Sequence, residues 1–305
     1  MMHSRLGSIL MGVTICLLAF IVATGSGWAK TRKAKCEKGQ SLQKRIDKAK
    51  PGDTILITGT CLENVVIPAD KSDLLIIGEN GAGISGPDSD SNTVEVRGRD
   101  ITIQNLTIQG GKDGISALFG AHVTILGCTI GSCNNGGNGI FVGNGSFADI
   151  GLSGPPNARQ FSANNITGCR NGILVDRVSG AEISDNLITN NHVGIELISG
   201  AAAKIGVPFG ASTGANSISN NTGDGVRVLL GSSTEIIGNL LNGNGGDGVR
   251  IEGNSTAKLD ANVTEILNGG YGLFCEGNSF ATGSLNTLNG LDGASMGAQG
   301  CILNF

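Results

Sequence analysis

The chain has 305 residues with a formal net charge of −4; 51 residues are glycine, there is one tryptophan and one tyrosine, and charged side chains make up only 15%. That composition excludes a helix-rich enzyme domain, which would carry more Ala, Leu, Glu and Lys, and 39% apolar residues exclude a disordered chain. The acidic balance argues against nucleic acid as a partner.

The first element is a secretion signal: MMHSR is the basic start, LGSILMGVTICLLAFIVATG the apolar run, and Gly27-Trp28-Ala29 the small-residue cleavage site. Cleavage after Ala29 removes Arg5, the one charged residue before position 30, and leaves 20 basic against 25 acidic side chains, a net charge near −5. An uncleaved anchor is the alternative. The apolar run is long enough for one, and Lys30, Arg32, Lys33 and Lys35 directly behind it are awkward for export. The expected organisation is a signal at 1–29, an N-terminal segment with a helix at 30–50 and a repeat region at 51–305. The protein is then secreted, periplasmic or on the cell surface, with no membrane insertion after cleavage. Of eight cysteines Cys16 leaves with the signal; none of the spacings suits zinc, and His3, His122 and His192 add nothing to one.

After a helical stripe of Leu42, Ile46 and Ala49, the chain settles into repeats. Glycine followed by an apolar strand recurs at Gly114, Gly139, Gly172, Gly194, Gly225, Gly248, Gly272 and Gly300. Most steps lie between 22 and 25 residues, and the two from 139 and from 194 are longer by a short loop. Such a period with short strands marks a solenoid, whose coils bury their apolar faces only by stacking. Asn164, Asn186, Asn216, Asn239, Asn262 and Asn286 fall at one place in successive coils, and Asn191, Asn221 and Asn244 at another, with Cys133 and Cys169 in the earlier coils. Stacked amides satisfy one another and the neighbouring backbone. Apolar runs of strand length between Gly and Asn turns exclude helices.

The opening SLQKRIDKAKPGDTILITGTCLENVVI and the repeat I-x-x-N-x-I-x-x-N-x-x-G-I resemble the right-handed parallel β-helix proteins of the pectin-lyase-like superfamily over about 36–305. The resemblance implies an all-β right-handed parallel β-helix with a short N-terminal capping helix. The repeat positions are structural, so the resemblance specifies the fold far better than an activity. The superfamily's lyases use an arginine base with aspartate-held calcium, its polygalacturonases clustered aspartates with Gly-His-Gly and Arg-Ile-Lys, and its alginate epimerases and lyases Asp-Pro-His-Asp. None of these three motifs occurs here, and neither His122 nor His192 stands beside a carboxylate in sequence.

Asp-Gly-Val-Arg occurs at 224–227 and again at 247–250. Asp and Asn alternate at the position before the glycine, where an Asx-Gly step suits a turn with positive φ. A second reading places calcium between Asp224 and Asp247, whose stacked carboxylates would repel. Two residues after each glycine the outward line reads Ser116, Phe141, Leu174, Glu196, Arg227, Arg250, Phe274. Phe141, Glu196, Arg227, Arg250 and Phe274 are the candidate face for a glycan or acidic polymer; on that reading Arg227→Ala and Arg250→Ala lower affinity and leave stability nearly intact. The alternative is a ladder that tolerates any residue. A further outward line, Thr124, Asp149, Glu182, Lys204, Glu235, Lys258, Thr282, alternates in sign as a cross-strand ion-pair ladder.

The two longer coils leave the repeat after Ile150 and Ile205, so their loops should wall a floor holding Glu182, Ser184 and Asp185. Glu182, Asp185 and Arg159 are the catalytic candidates, suited to proton abstraction or sugar hydrolysis. The expected disulfides are Cys36–Cys61, Cys133–Cys169, which share a ladder position, and Cys275–Cys301, offset by two residues; Cys128 is left over. Function is expected to be binding, with or without processing, of an extended polysaccharide by an exported protein. The rival is a non-catalytic spacer or adhesin. A third reading, an accessory protein for copper-enzyme maturation, finds little support in so few Met and His.

Overall fold

The computed structural model describes residues 29–154, 158–207, 214–297 and 300–304. All but Ala29 of the expected signal, and the tips of both long loops, lie outside them. Three parallel sheets of twelve, eight and ten strands run along the molecule, and a complete coil contributes one strand to each in that order. One complete coil is Gly180–Ile183, Leu187–Thr189 and Val193–Leu197. Among the described residues no helix is long and apolar enough to cross a membrane.

Strand alternation places every second side chain inside. There Ile125, Ile150, Ile183, Ile205 and Ile236 stack on the twelve-stranded side, and Ile130, Ile166, Ile188 and Ile218 on the eight-stranded side. Ile140, Ile173, Ile195, Val226 and Val249 complete the core from the ten-stranded side. Identical shapes at each level keep the coils in one register.

The asparagine ladders hold the corners. Each Nδ2–H donates to the next coil's Oδ1, at 2.8 Å for Asn164 to Asn186, 3.0 Å for Asn186 to Asn216 and 2.9 Å for Asn216 to Asn239. The same amide also donates to the carbonyl one coil back, as Asn216 does to Ile183. The same Oδ1 accepts the backbone N–H of the preceding rung, as Asn216 does for Asn186. The second ladder runs from Asn191 through Asn221 and Asn244 to Asn268, one rung further than its pattern suggested.

Several expectations need correction. None of the glycines from Gly114 to Gly272 in the Gly-apolar steps, and none of Asp113, Asn138, Asn171, Asp224 or Asp247 before them, has positive φ. The glycine is needed for closeness instead: a Cβ on Gly194 would lie 2.4 Å from the Gly225 carbonyl oxygen and 2.6 Å from Ile218, and one on Gly225 would lie 2.7 Å from the Gly248 oxygen. The step at Gly300 is not a member of this column. Its strand, Ile302–Asn304, pairs with Phe280–Ser284 in the twelve-stranded sheet, and Gly293–Gly297 continues the ten-stranded one. The solenoid also begins before residue 51, because Thr31–Lys35 already pairs with Thr54–Thr58.

The one α-helix among the described residues spans Gln43–Asp47, with Ile46 buried within it, Leu42 and Ala49 buried at its ends and Glu63 of the next coil accepting from Ser41 Oγ at 2.9 Å. Disulfides join Cys36 to Cys61, Cys133 to Cys169 and Cys275 to Cys301. Cys128 is free and buried, and burial pushes its thiol up to about 11.

Asn216 is fully buried. Asn216→Ala is expected to lower the unfolding free energy by about 3 kcal/mol, because several buried partners are stranded at roughly 1–3 kcal/mol each. Urea denaturation checks this.

Candidate functional site

The outward line on the ten-stranded sheet has the expected register, Ser116–Phe141–Leu174–Glu196–Arg227–Arg250–Phe274. Its environment differs from the expectation. Ser116 and Glu196 are buried, and Phe141, Leu174 and Phe274 are only half-exposed. The guanidiniums are fully engaged: Arg227 donates to Asp224 at 2.8 Å and to Glu196 at 3.4 Å, and Arg250 to Asp247 at 3.1 Å, to Glu252 and to Glu276 at 3.5 Å. Arg250 also lies 4.4 Å over the Phe274 ring. Five carboxylates thus surround two guanidiniums, which leaves the strip net negative and poorly suited to an acidic polymer.

The repeated Asp-Gly-Val-Arg is therefore internal wiring. Asp224 Oδ1 accepts the Asp247 N–H at 2.8 Å and Asp247 Oδ1 the Tyr271 N–H at 2.7 Å. Each aspartate closes the next coil's turn while its own arginine balances the charge. Their oxygens are occupied by N–H donors, so calcium is not needed to relieve the stacked carboxylates.

The twelve-stranded sheet presents a different face. Its first outward line reads His122, Phe147, Gly180, Ala202, Ser233, Thr256, Phe280. The small residues at its centre form the floor of an open trough of about 590 Å³, ended by Phe147 and Phe280, which are 40% and 37% exposed. Gly180 matters here: the Phe147 ring leans over it, and a Cβ would meet the ring carbon at 2.8 Å. Beside the floor runs the second line, Asp149, Glu182, Lys204, Glu235, Lys258. It forms fewer cross-strand pairs than its signs suggest. Lys204 approaches Glu182 at 3.8 Å, but Lys258 bonds Asp260 on its own strand at 3.0 Å.

At the Phe147 end the trough runs into a cleft of about 340 Å³ lined by His122, Phe147, Asp149, Gly154, Arg159 and Glu182. The first long loop builds its wall: Leu152–Ser153 pairs antiparallel with Gln160–Phe161, which carries Arg159 onto Glu182. That pair is largely sheltered, with Arg159 15% and Glu182 20% exposed. His122 Nδ1 is 2.9 Å from Asp100 and Nε2 3.4 Å from Asp149, and Phe147 meets the imidazole edge-on at 5.7 Å. Hydrogen bonding to Asp149, aided by Asp100, holds the imidazole above its ordinary value despite partial burial.

The structure thus brings two of the three catalytic candidates together, Glu182 and Arg159. Asp185 stands apart at the corner, in left-handed conformation with its N–H on the Gly214 carbonyl, and burial pushes its carboxyl up. His122 was missed because its carboxylates lie one coil before and one coil after it; only reading the repeat vertically places Asp100 and Asp149 beside it.

The sequence matches the right handed beta helix region family over residues 80–207 and 156–301. No curated protein matches it. Among solved structures it is similar to an alginate lyase from Paenibacillus sp. str. FPU-7, at 17% identity and TM-score 0.58 over 89% of this chain and 99% of that one. Pectate lyase Pel9A gives 13% identity and TM-score 0.52 over 89% and 82%. A double mutant of the periplasmic alginate epimerase AlgG gives 14% and 0.50 over 90% and 72%. At these identities the likeness is one of fold.

Arg227→Ala is now expected to lower stability by about 2 kcal/mol, since it strands the nearly buried Asp224 and Glu196; chemical denaturation that shows no loss contradicts the wiring. His122 titrates above its ordinary 6.5 in the fold. Its contribution is complete below that ordinary value and disappears as pH rises through the raised one. The melting temperature of the wild type should therefore carry a downward step over that window that His122→Gln lacks.

Proposed function

The chain belongs to the right handed beta helix region family, and from that premise we propose that it is an exported protein that binds a linear polysaccharide along the twelve-stranded sheet and processes it at the His122 cleft. The observation that carries this reading is the continuity of the two spaces. An open floor of small residues between two half-exposed phenylalanines leads, through Phe147, into a cleft that holds the half-exposed His122 beside Asp149, Arg159 and Glu182. Phenylalanine faces suit pyranose rings, and a floor without bulky side chains lets an extended chain lie along the strands' stacking direction. The solved lyases and epimerase of the same fold are named for alginate and pectate, which supports a glycan ligand here.

In the cleft, His122 is the proton-transfer group. Its two carboxylate contacts favour the imidazolium, the form that can protonate a glycosidic oxygen. Glu182, bound by Arg159 and Lys204, supplies a fixed negative charge on the other side of the same space. Three disulfides support export to an oxidising compartment, with the signal at 1–29 as its route. The helix Gln43–Asp47 is read as the piece that closes the first coil.

The test is a panel of acidic and neutral polysaccharides offered to residues 30–305, scored for retention and for newly released chain ends. Wild type should retain at least one and release ends. Ala202→Trp, which fills the exposed floor, should lose retention with little change in melting temperature. His122→Asn should keep retention and lose release. Retention that survives Ala202→Trp but not Arg250→Ala would return the binding face to the ten-stranded sheet.

A further inference from the structure

Two features alternate from coil to coil, one lining the trough and one on the corner that leads into its sheet. On one flank the in-register residues are Glu182, Lys204, Glu235 and Lys258, so each sign recurs at two-coil intervals. At the corner that leads into the sheet, beyond the residues that line the trough, each coil turns through two consecutive left-handed residues. These are Phe119–Gly120, Asn144–Gly145, Arg177–Val178, Ser199–Gly200, Leu230–Gly231, Gly253–Asn254 and Gly277–Asn278. Backbone hydrogen bonds tie successive turns together, as Gly145 N to the Arg177 carbonyl, Val178 N to Ser199 and Gly200 N to Leu230, so the turns stand in register.

Asn, Ser and Gly accept that conformation readily; bulky or β-branched residues do not. Large apolar side chains nevertheless occupy the first, third and fifth of these turns, at the first position for Phe119 and Leu230 and at the second for Val178, and are 63%, 60% and 78% exposed; the seventh turn, Gly277–Asn278, carries none. Phe119 is covered by Arg97, 5.5 Å from its ring centre; core packing gives no reason for Val178 or Leu230, and strain at an exposed position suggests a ligand. The two features are also in phase. Val178 and Leu230 precede the strands of Glu182 and Glu235, and Ser199 and Asn254 precede those of Lys204 and Lys258.

Neighbouring strands lie about 4.8 Å apart, so the repeat is about 9.6 Å. That is close to the length of two pyranose residues in an extended ribbon, and a chain with two-fold screw symmetry offers the same edge to a flat face at every second residue. On the reading of the trough as the glycan face, we infer that its ligand is a linear polysaccharide with a disaccharide repeat in which acidic and uncharged sugars alternate. Lys204 and Lys258 meet successive carboxylates. They are 61% and 54% exposed, and their present pairs with Glu182 and Asp260 are surface contacts of small value that a ligand carboxylate can replace. Val178 and Leu230 take the apolar faces of the intervening sugars. Glu235 stands between the two lysines, so a polymer charged at every residue meets repulsion at alternate positions.

Three octasaccharide probes of similar extension separate the possibilities by calorimetry: one from hyaluronan, which alternates glucuronate with an uncharged sugar, one from polymannuronate, acidic throughout, and one from neutral β-1,4-glucan. The hyaluronan probe should bind at least about tenfold more tightly than either other, and Lys204→Ala with Lys258→Ala should reduce that affinity by about tenfold or more, with unchanged circular dichroism. Equal or tighter binding of polymannuronate overturns the inference, as does an alternating probe indifferent to the lysines. If glucan binds as well as the others and Ala202→Trp still abolishes it, the trough reading stands and the alternation fails. If no probe binds and the wider panel is also unretained, both fail.

Discussion

Every outward feature of this protein depends on one constraint: buried side-chain amides must find partners one coil away. Asn164, Asn186, Asn216, Asn239 and Asn262 are all nearly or wholly buried, and each serves the backbone of a neighbouring coil and the next amide at once. A coil that slipped by one residue would strand several polar groups in the core and turn its isoleucines outward. The register is therefore rigid, and side chains that are more than twenty residues apart in sequence become neighbours in straight lines.

Those lines have two different fates. On the ten-stranded side the aspartates before each glycine close the turns of the next coil, and the arginines that follow them balance that buried charge. The polar groups there serve the solenoid itself. On the twelve-stranded side the backbone is already satisfied by the sheet, so the outward residues at its centre need not supply backbone partners. That freedom permits a floor of Gly180, Ala202, Ser233 and Thr256, and it leaves His122 to be positioned by two carboxylates and a loop.

The fold was readable in the sequence because its determinants are periodic. The glycine steps, the asparagine columns and the alternation of strands each recur, and the three disulfides follow from register. What could not be read was which outward line is free. Arg250 and Phe274 look exposed by strand alternation, but alternation says nothing about neighbours such as Glu252 and Glu276, contributed by turns. The glycine before each strand was misjudged for a related reason: closeness to the next coil leaves no mark on a single repeat. His122 was hidden because its partners are vertical, and Arg159 joins Glu182 only through a hairpin that the repeat does not encode.

The most direct measurement is a crystal structure of the protein soaked with an acidic octasaccharide of alternating repeat. The account predicts sugar density along the twelve-stranded sheet between Phe147 and Phe280, with one end entering the space beside His122. Density lying instead across Arg227 and Arg250, with those arginines drawn away from Asp224 and Asp247, would contradict it.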